Sequence, residues 1–161
     1  MYEIEARYES ETFYIDLESE LLSMISGEKN LVANLANISS WIYHAMPDLN
    51  WCGFYLWQKD DGELVLGPFQ GRPACIRIRP ERGVCGAAYT TGRTMRVEDV
   101  HDFTGHIACD ATSVSELVIP LNKNGLVYGV LDLDSPSKSR FKERDEKELT
   151  RIMGIISNQI F

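Results

Sequence analysis

At 161 residues and 44% hydrophobic composition, the chain is long enough for one domain with a sizeable core and too short for two comfortable ones. Its formal net charge of −8 argues against nucleic acid or an anionic membrane as partner, since both demand clustered Lys and Arg. The acidic start, Met1 to Glu5, lacks the basic region and apolar stretch of a signal peptide, and no apolar run approaches a membrane span, so a cytoplasmic protein is expected.

In chain order, two helices are predicted first, a short one over Asp16 to Ile25 and a longer one over Glu28 to Ala45. Leu31, Leu35, Ile38 and Ile42 recur at helical spacing in the second, and Pro47 ends it. Strands follow at Trp51 to Gln58 and Glu63 to Leu66, joined by a turn whose Asp61-Gly62 is a hairpin signal. Ala74 to Arg79 reads as extended, Gly83 to Thr91 as a short helix ended by Gly92, and Thr94 to Val97 as a brief strand. Glu98 to Ser115 has no clear period and is rich in Asp, Gly, Thr and Ser; loops that long inside a compact domain are usually functional. A second hairpin joins Glu116 to Leu121 with Leu126 to Leu133 through Asn124-Gly125. From about Lys142 a final helix carries Leu149, Ile152, Met153, Ile156 and Ile160 on one stripe. Helices at both ends of a mainly antiparallel sheet define an α+β class: one domain over residues 1–161, with helices in 1–46, sheet and site loops in 50–136, and the closing helix in 142–161.

The four cysteines are too few and scattered for a secreted disulfide scaffold. Cys52 shares a strand face with Phe54 and Leu56 and reads as core. Cys75, Cys85 and Cys109 sit at element edges or in loops beside small residues, where a thiol can be approached. Their spacings do not resemble paired zinc ligands, so no metal is expected. Cys85, at a helix start, has the better claim to a lowered pKa. Around Cys109, Val97 to Asn122 holds no Lys or Arg but does hold Glu98, Asp99, Asp102, Asp110 and Glu116, a setting that raises a thiol pKa. His101 and His106 titrate in a useful range, yet neither is assigned a role.

Asp132 and Asp134 share one face of their strand, with Leu131 and Leu133 on the other. Two carboxylates there are costly unless the strand end reaches water or a cationic ligand meets them. Trp51 and Tyr55 likewise share a face, either as ordinary packing or as the apolar wall of a site.

Taken together, NWCGFYL, LGPFQGRPAC, GVCGAAY, EDVHDF, GHIACDA, SELVIPL and GVLDLDS resemble, in order, the free methionine-(R)-sulfoxide reductases, which are GAF-domain enzymes. The resemblance is dense from about residue 50 to 136. It implies a GAF-like fold and thiol-dependent reduction of free L-methionine (R)-sulfoxide without an organic cofactor. It places the nucleophile at Cys109, with Cys85 or Cys75 resolving the sulfenic acid as a disulfide that thioredoxin or a similar dithiol then reduces. Cys85 stays open as an alternative nucleophile. Glu116, Asp132 and Asp134 match acidic positions of the family's substrate pocket; they would receive the ammonium of the free amino acid, and one would protonate the leaving oxygen. Trp51 and Tyr55 would face the methyl sulfoxide. The resemblance also implies a homodimer, although the apolar helical stripes would equally cover the sheet of a monomer. Two rivals belong to other classes: a GAF-type small-molecule sensor that binds without turnover, and a thiol redox switch.

Overall fold

The computed structural model describes residues 2–106 and 111–161. Three helices come first, α1 (Tyr2–Tyr8), α2 (Phe13–Ile25) and α3 (Leu31–Ala45), then strands β1 (Trp51–Gln58), β2 (Glu63–Gly71) and β3 (Arg77–Ile78). Helix α4 (Gly83–Thr91), strand β4 (Met95–Val97) and a 3-10 turn (Val100–Asp102) lead to the hairpin of β5 (Ser115–Lys123) and β6 (Leu126–Ser135), and α5 (Glu143–Ile160) closes the chain. The strands form one six-stranded sheet in the order β3-β2-β1-β6-β5-β4, with every described pairing antiparallel. The α+β reading and both hairpins are therefore borne out.

The two faces of the sheet diverge in chemistry because strand side chains alternate. On one face Cys52 and Phe54 of β1, Leu117 and Ile119 of β5 and Leu131 and Leu133 of β6 pack against the apolar stripes of α2, α3 and α5. That layer is the main core, and Cys52 lies within it, fully buried, as its strand position predicts. On the other face Trp51, Tyr55, Val118 and Val130 form a smaller cluster with Leu64, Ile78 and the Val84, Cys85 and Ala88 of α4. A short helix cannot cover a whole sheet face, so part of it is left for a pocket.

Three differences from the predicted elements have local causes. Strand β2 runs on past the expected end at Leu66 to Gly71, because the β1–β2 register shifts between Gly53 and Tyr55, so two β2 residues, Gly67 and Pro68, stand against one of β1, Phe54. Helix α2 starts at Phe13 rather than Asp16. Helix α1 was not predicted; its seven residues are tied down by Arg7 to Glu20 at 2.6 Å and by the Tyr8 hydroxyl donating to Asp145 at 2.6 Å.

Asp145 is fully buried at the start of α5, where it accepts from the Lys142 backbone N–H at 2.7 Å and so caps the helix. It also receives the Tyr14 hydroxyl and pairs with Arg140 at 3.3 Å. One carboxylate thus joins α1, α2 and α5. Among the described residues, no helix is long and apolar enough to cross a membrane.

Candidate active site

Register brings the site together. Trp51 on β1 pairs with Asp134 on β6, which pairs with Glu116 on β5; one step along, Gly53 pairs with Asp132, which pairs with Val118. Residues directly opposite in antiparallel strands share a face, so three carboxylates and an indole occupy one corner of the sheet. Gly53 makes this possible by close approach: a Cβ there would lie 2.3 Å from Phe69 Cβ and 2.7 Å from the Trp51 ring.

Over this corner sits the N-terminal end of α4. Gly83 begins that helix with φ +64°, a left-handed conformation that glycine adopts without steric cost, and its N–H donates to the Gly105 carbonyl at 3.1 Å. The resulting pocket is lined by residues that include Trp51, Tyr55, Arg82, Cys85, His106, Ser113, Glu116, Asp132 and Asp134.

All five residues expected to bind substrate, Glu116, Asp132, Asp134, Trp51 and Tyr55, line this one pocket together with Cys85. The aromatic wall is rigid. Trp51 stacks on Tyr55 with ring centres 5.8 Å apart and on Phe69 at 5.3 Å, while its Nε1–H donates to the Arg72 carbonyl at 3.1 Å. Tyr55 donates its hydroxyl to the Cys75 carbonyl at 2.9 Å. Cys75 follows Ala74, a lining residue, and is in a disulfide, whereas Cys52 and Cys85 are free thiols. Cys109 and the rest of Ile107 to Asp110 lie outside the described residues.

The flanks of that segment are anchored. Val100 N–H donates to the Val114 carbonyl and Val114 N–H to the Ser135 carbonyl, both at 2.8 Å, and Asn50 Nδ2 donates to Ser113 Oγ at 3.0 Å. Asp99 accepts from the His101 backbone and meets His101 Nδ1 at 2.7 Å and Lys138 Nζ at 3.2 Å. These contacts hold its carboxyl down at about 2.

The carboxylates are electrostatically strained. Glu116 and Asp132 are each 6% exposed, and Asp132 Oδ1 has no hydrogen-bond partner among the described residues. Burial, then the charges of Asp132 and Asp134, push Glu116 well above the usual carboxyl range. Burial also pushes Asp132 up to about 7, opposed by hydrogen bonding with Cys85 and Glu116. The protonated form of Glu116 beside the pocket is thereby favoured.

Cys85 corrects its sequence reading. Its position in α4 suggested a lowered pKa, but the thiol is buried at 4% exposure with Sγ 4.0 Å from Glu116 Oε1. Burial, followed by the charges of Asp132 and Glu116, raises its pKa well above the ordinary thiol value. Burial and the carboxylates together outweigh the helix terminus, and Cys85 lines the pocket.

Arg82 and Ser113 are among the lining residues that the sequence did not single out. They flank the helix start and the loop, and the signal for Arg82 was its place directly before the Gly83-Val84-Cys85-Gly86 turn into α4. His106, to which the sequence assigned no role, also lines the pocket, with its pKa lowered by burial and by His101.

A six-stranded antiparallel sheet, helices packed on one face and a loop-and-helix-covered ligand pocket on the other, defines the GAF class of α+β domain. Residues 33–160 match the family model described as GAF domain, and the chain belongs to that family. It is 48% identical to the free methionine-R-sulfoxide reductase of Escherichia coli (strain K12), over 88% of this chain and 85% of that one. The reduced form of fRMsr from Staphylococcus aureus superimposes with a TM-score of 0.87 at 44% identity, covering 92% of this chain and 95% of the other. The free methionine-R-sulfoxide reductase of Neisseria meningitidis in complex with its substrate gives a TM-score of 0.87 at 41% identity, covering 91% and 87%.

Proposed function

We propose that this chain reduces free L-methionine (R)-sulfoxide to L-methionine. The observation that carries the reading is the convergence of Glu116, Asp132 and Asp134 with the Trp51–Tyr55 wall in one pocket, in a chain close in sequence and fold to proteins named for that activity.

The ammonium group of a free amino acid offsets the charge of Asp132 and Asp134, and Arg82 at the rim supplies a cation for its carboxylate. A methionine within a peptide has no ammonium and would leave buried carboxylates unpaired, which gives selectivity for the free form. The methyl sulfoxide lies against Trp51 and Tyr55, where sulfur and aromatic rings attract modestly.

In the proposed cycle Cys109 attacks the sulfoxide sulfur. Protonated Glu116 delivers its proton toward the oxygen, which passes to Cys109 as a sulfenic acid while methionine leaves. The Cys75 thiol then attacks the sulfenic sulfur and releases water, forming a Cys75–Cys109 disulfide. Cys75 fits the resolving role because it is a disulfide former beside the pocket, while Cys85 is free and held as a neutral thiol. A dithiol of the thioredoxin type reduces the disulfide and takes its place as the oxidised product.

The test compares dithiothreitol-driven methionine release from the free R epimer, the free S epimer and a peptide-bound sulfoxide. Turnover of the free R epimer alone is expected; no turnover of any sulfoxide would leave ligand sensing as the function of the pocket.

A further inference from the structure

Cys85 takes no covalent part in the proposed cycle, yet it is buried against two carboxylates. The ligand-capable atoms of Cys85, Glu116 and Asp132 all lie within 4.8 Å of one another, and Cys85 Sγ is 4.0 Å from Glu116 Oε1. A tetrahedral zinc ion, with bonds of about 2.3 Å to sulfur and about 2.1 Å to oxygen, holds its ligand atoms about 3.5 Å apart. Closing the trio onto a metal thus needs shifts of only some tenths of an ångström to about an ångström, within reach of side-chain rotation.

A second observation points the same way. Asp132 is 6% exposed, its Oδ1 has no hydrogen-bond partner among the described residues, and it lines the cavity. No ion pair joins a Lys or Arg to Glu116 or Asp132 among the described residues. A buried carboxyl pair that no cation meets holds protons instead, and a divalent cation that binds there displaces them.

We propose that Cys85, Glu116 and Asp132 form a binding site for a thiophilic divalent cation of the zinc class, with the fourth coordination position open to the pocket. One thiolate and two carboxylates favour such a cation over magnesium or calcium, which prefer all-oxygen shells. The site is separate from the redox-active disulfide, because Cys85 is free while Cys75 is bonded. Where the proposed function holds, the cation occupies the place of the substrate ammonium, so zinc acts as a competitive inhibitor and not as a cofactor.

The experiment uses the full chain with its Cys75 disulfide left oxidised, and the probes are zinc and cadmium ions. Zinc affinity is read by competition with a chromogenic chelator, and cadmium binding by the ultraviolet charge-transfer band of a cadmium–thiolate bond. One zinc per chain and a cadmium band are expected. Cys85→Ser should abolish the band and weaken zinc at least about 10-fold, the near-isosteric Glu116→Gln should weaken zinc with the band retained, and Cys75→Ser should leave both intact. No stoichiometric binding, zinc affinity unchanged in Cys85→Ser, or a band that survives that substitution would each overturn the site. None of these readouts depends on sulfoxide turnover.

Discussion

The Tyr55 hydroxyl donates to the Cys75 carbonyl at 2.9 Å, so one side chain is both the wall of the ligand pocket and the anchor of the segment that carries a disulfide cysteine. Tyr55 itself is held by stacking on Trp51. In the proposed cycle, substrate positioning and thiol resolution would therefore be linked through one aromatic pair.

Tyr55→Phe keeps the ring and deletes the bond. Stability should fall by about 1 kcal/mol. Rapid-quench kinetics should show methionine released in the first turnover at a near-normal rate and disulfide formation slowed. Equal slowing of both steps would mean that the hydroxyl acts in the sulfoxide chemistry itself.

The buried acids set a pH dependence of stability. Asp132 titrates at about 7 in the folded chain against 3.8 as an ordinary carboxyl, so the folded state binds its proton more tightly. Its effect on stability is nil below about pH 4, grows unfavourable as pH rises, and is complete above about pH 7, amounting to about 4 kcal/mol. Asp132→Asn should flatten this slope and be more stable than the parent at pH 8, while losing activity. Urea unfolding of both proteins at pH 5 and pH 8 checks it.

Glu116→Gln keeps the shape of the side chain and removes its transferable proton. The rate of methionine release should drop by about 100-fold or more, with the dependence of the parent rate on rising pH lost. In the parent, the rate should fall as pH rises and Glu116 loses its proton. A Gln variant that retains full rate would move the proton to Asp132 or Asp134.

Asp145 should dominate the stability of the helical layer. It is fully buried, receives Tyr8 and Tyr14, and pairs with Arg140; burial together with Asp145 pushes the Tyr8 phenol up to about 12. Arg140→Ala removes the cation and leaves the carboxylate buried, at a cost of about 3–5 kcal/mol. Chemical denaturation should show that loss, with proteolysis between α1 and α2 as the first structural sign.

Strand alternation made much of this legible. Cys52, Phe54, Leu131 and Leu133 went to the helical face, and Trp51, Tyr55, Asp132 and Asp134 to the pocket face, as a period of two requires. What the chain order hid was non-local. The acidity of Cys85 was misjudged because the fold buries the start of α4 and brings Glu116 and Asp132 of β5 and β6 against it, which no local pattern reports. The end of β2 was misplaced because the strand continues through a bulge at Gly67 and Pro68. Helix α1 depends on Arg7 and Tyr8 reaching α2 and α5, contacts invisible in seven residues.

The central claim is that Cys109 takes the sulfoxide oxygen and Cys75 resolves it. The most direct measurement adds free L-methionine (R)-sulfoxide to the fully reduced chain without external reductant, counts the methionine released and maps the disulfide by peptide mass. The account predicts one methionine per chain and a Cys75–Cys109 peptide, with neither from Cys109→Ser. Methionine release that survives Cys109→Ser, or a disulfide that joins Cys85 instead, would contradict it.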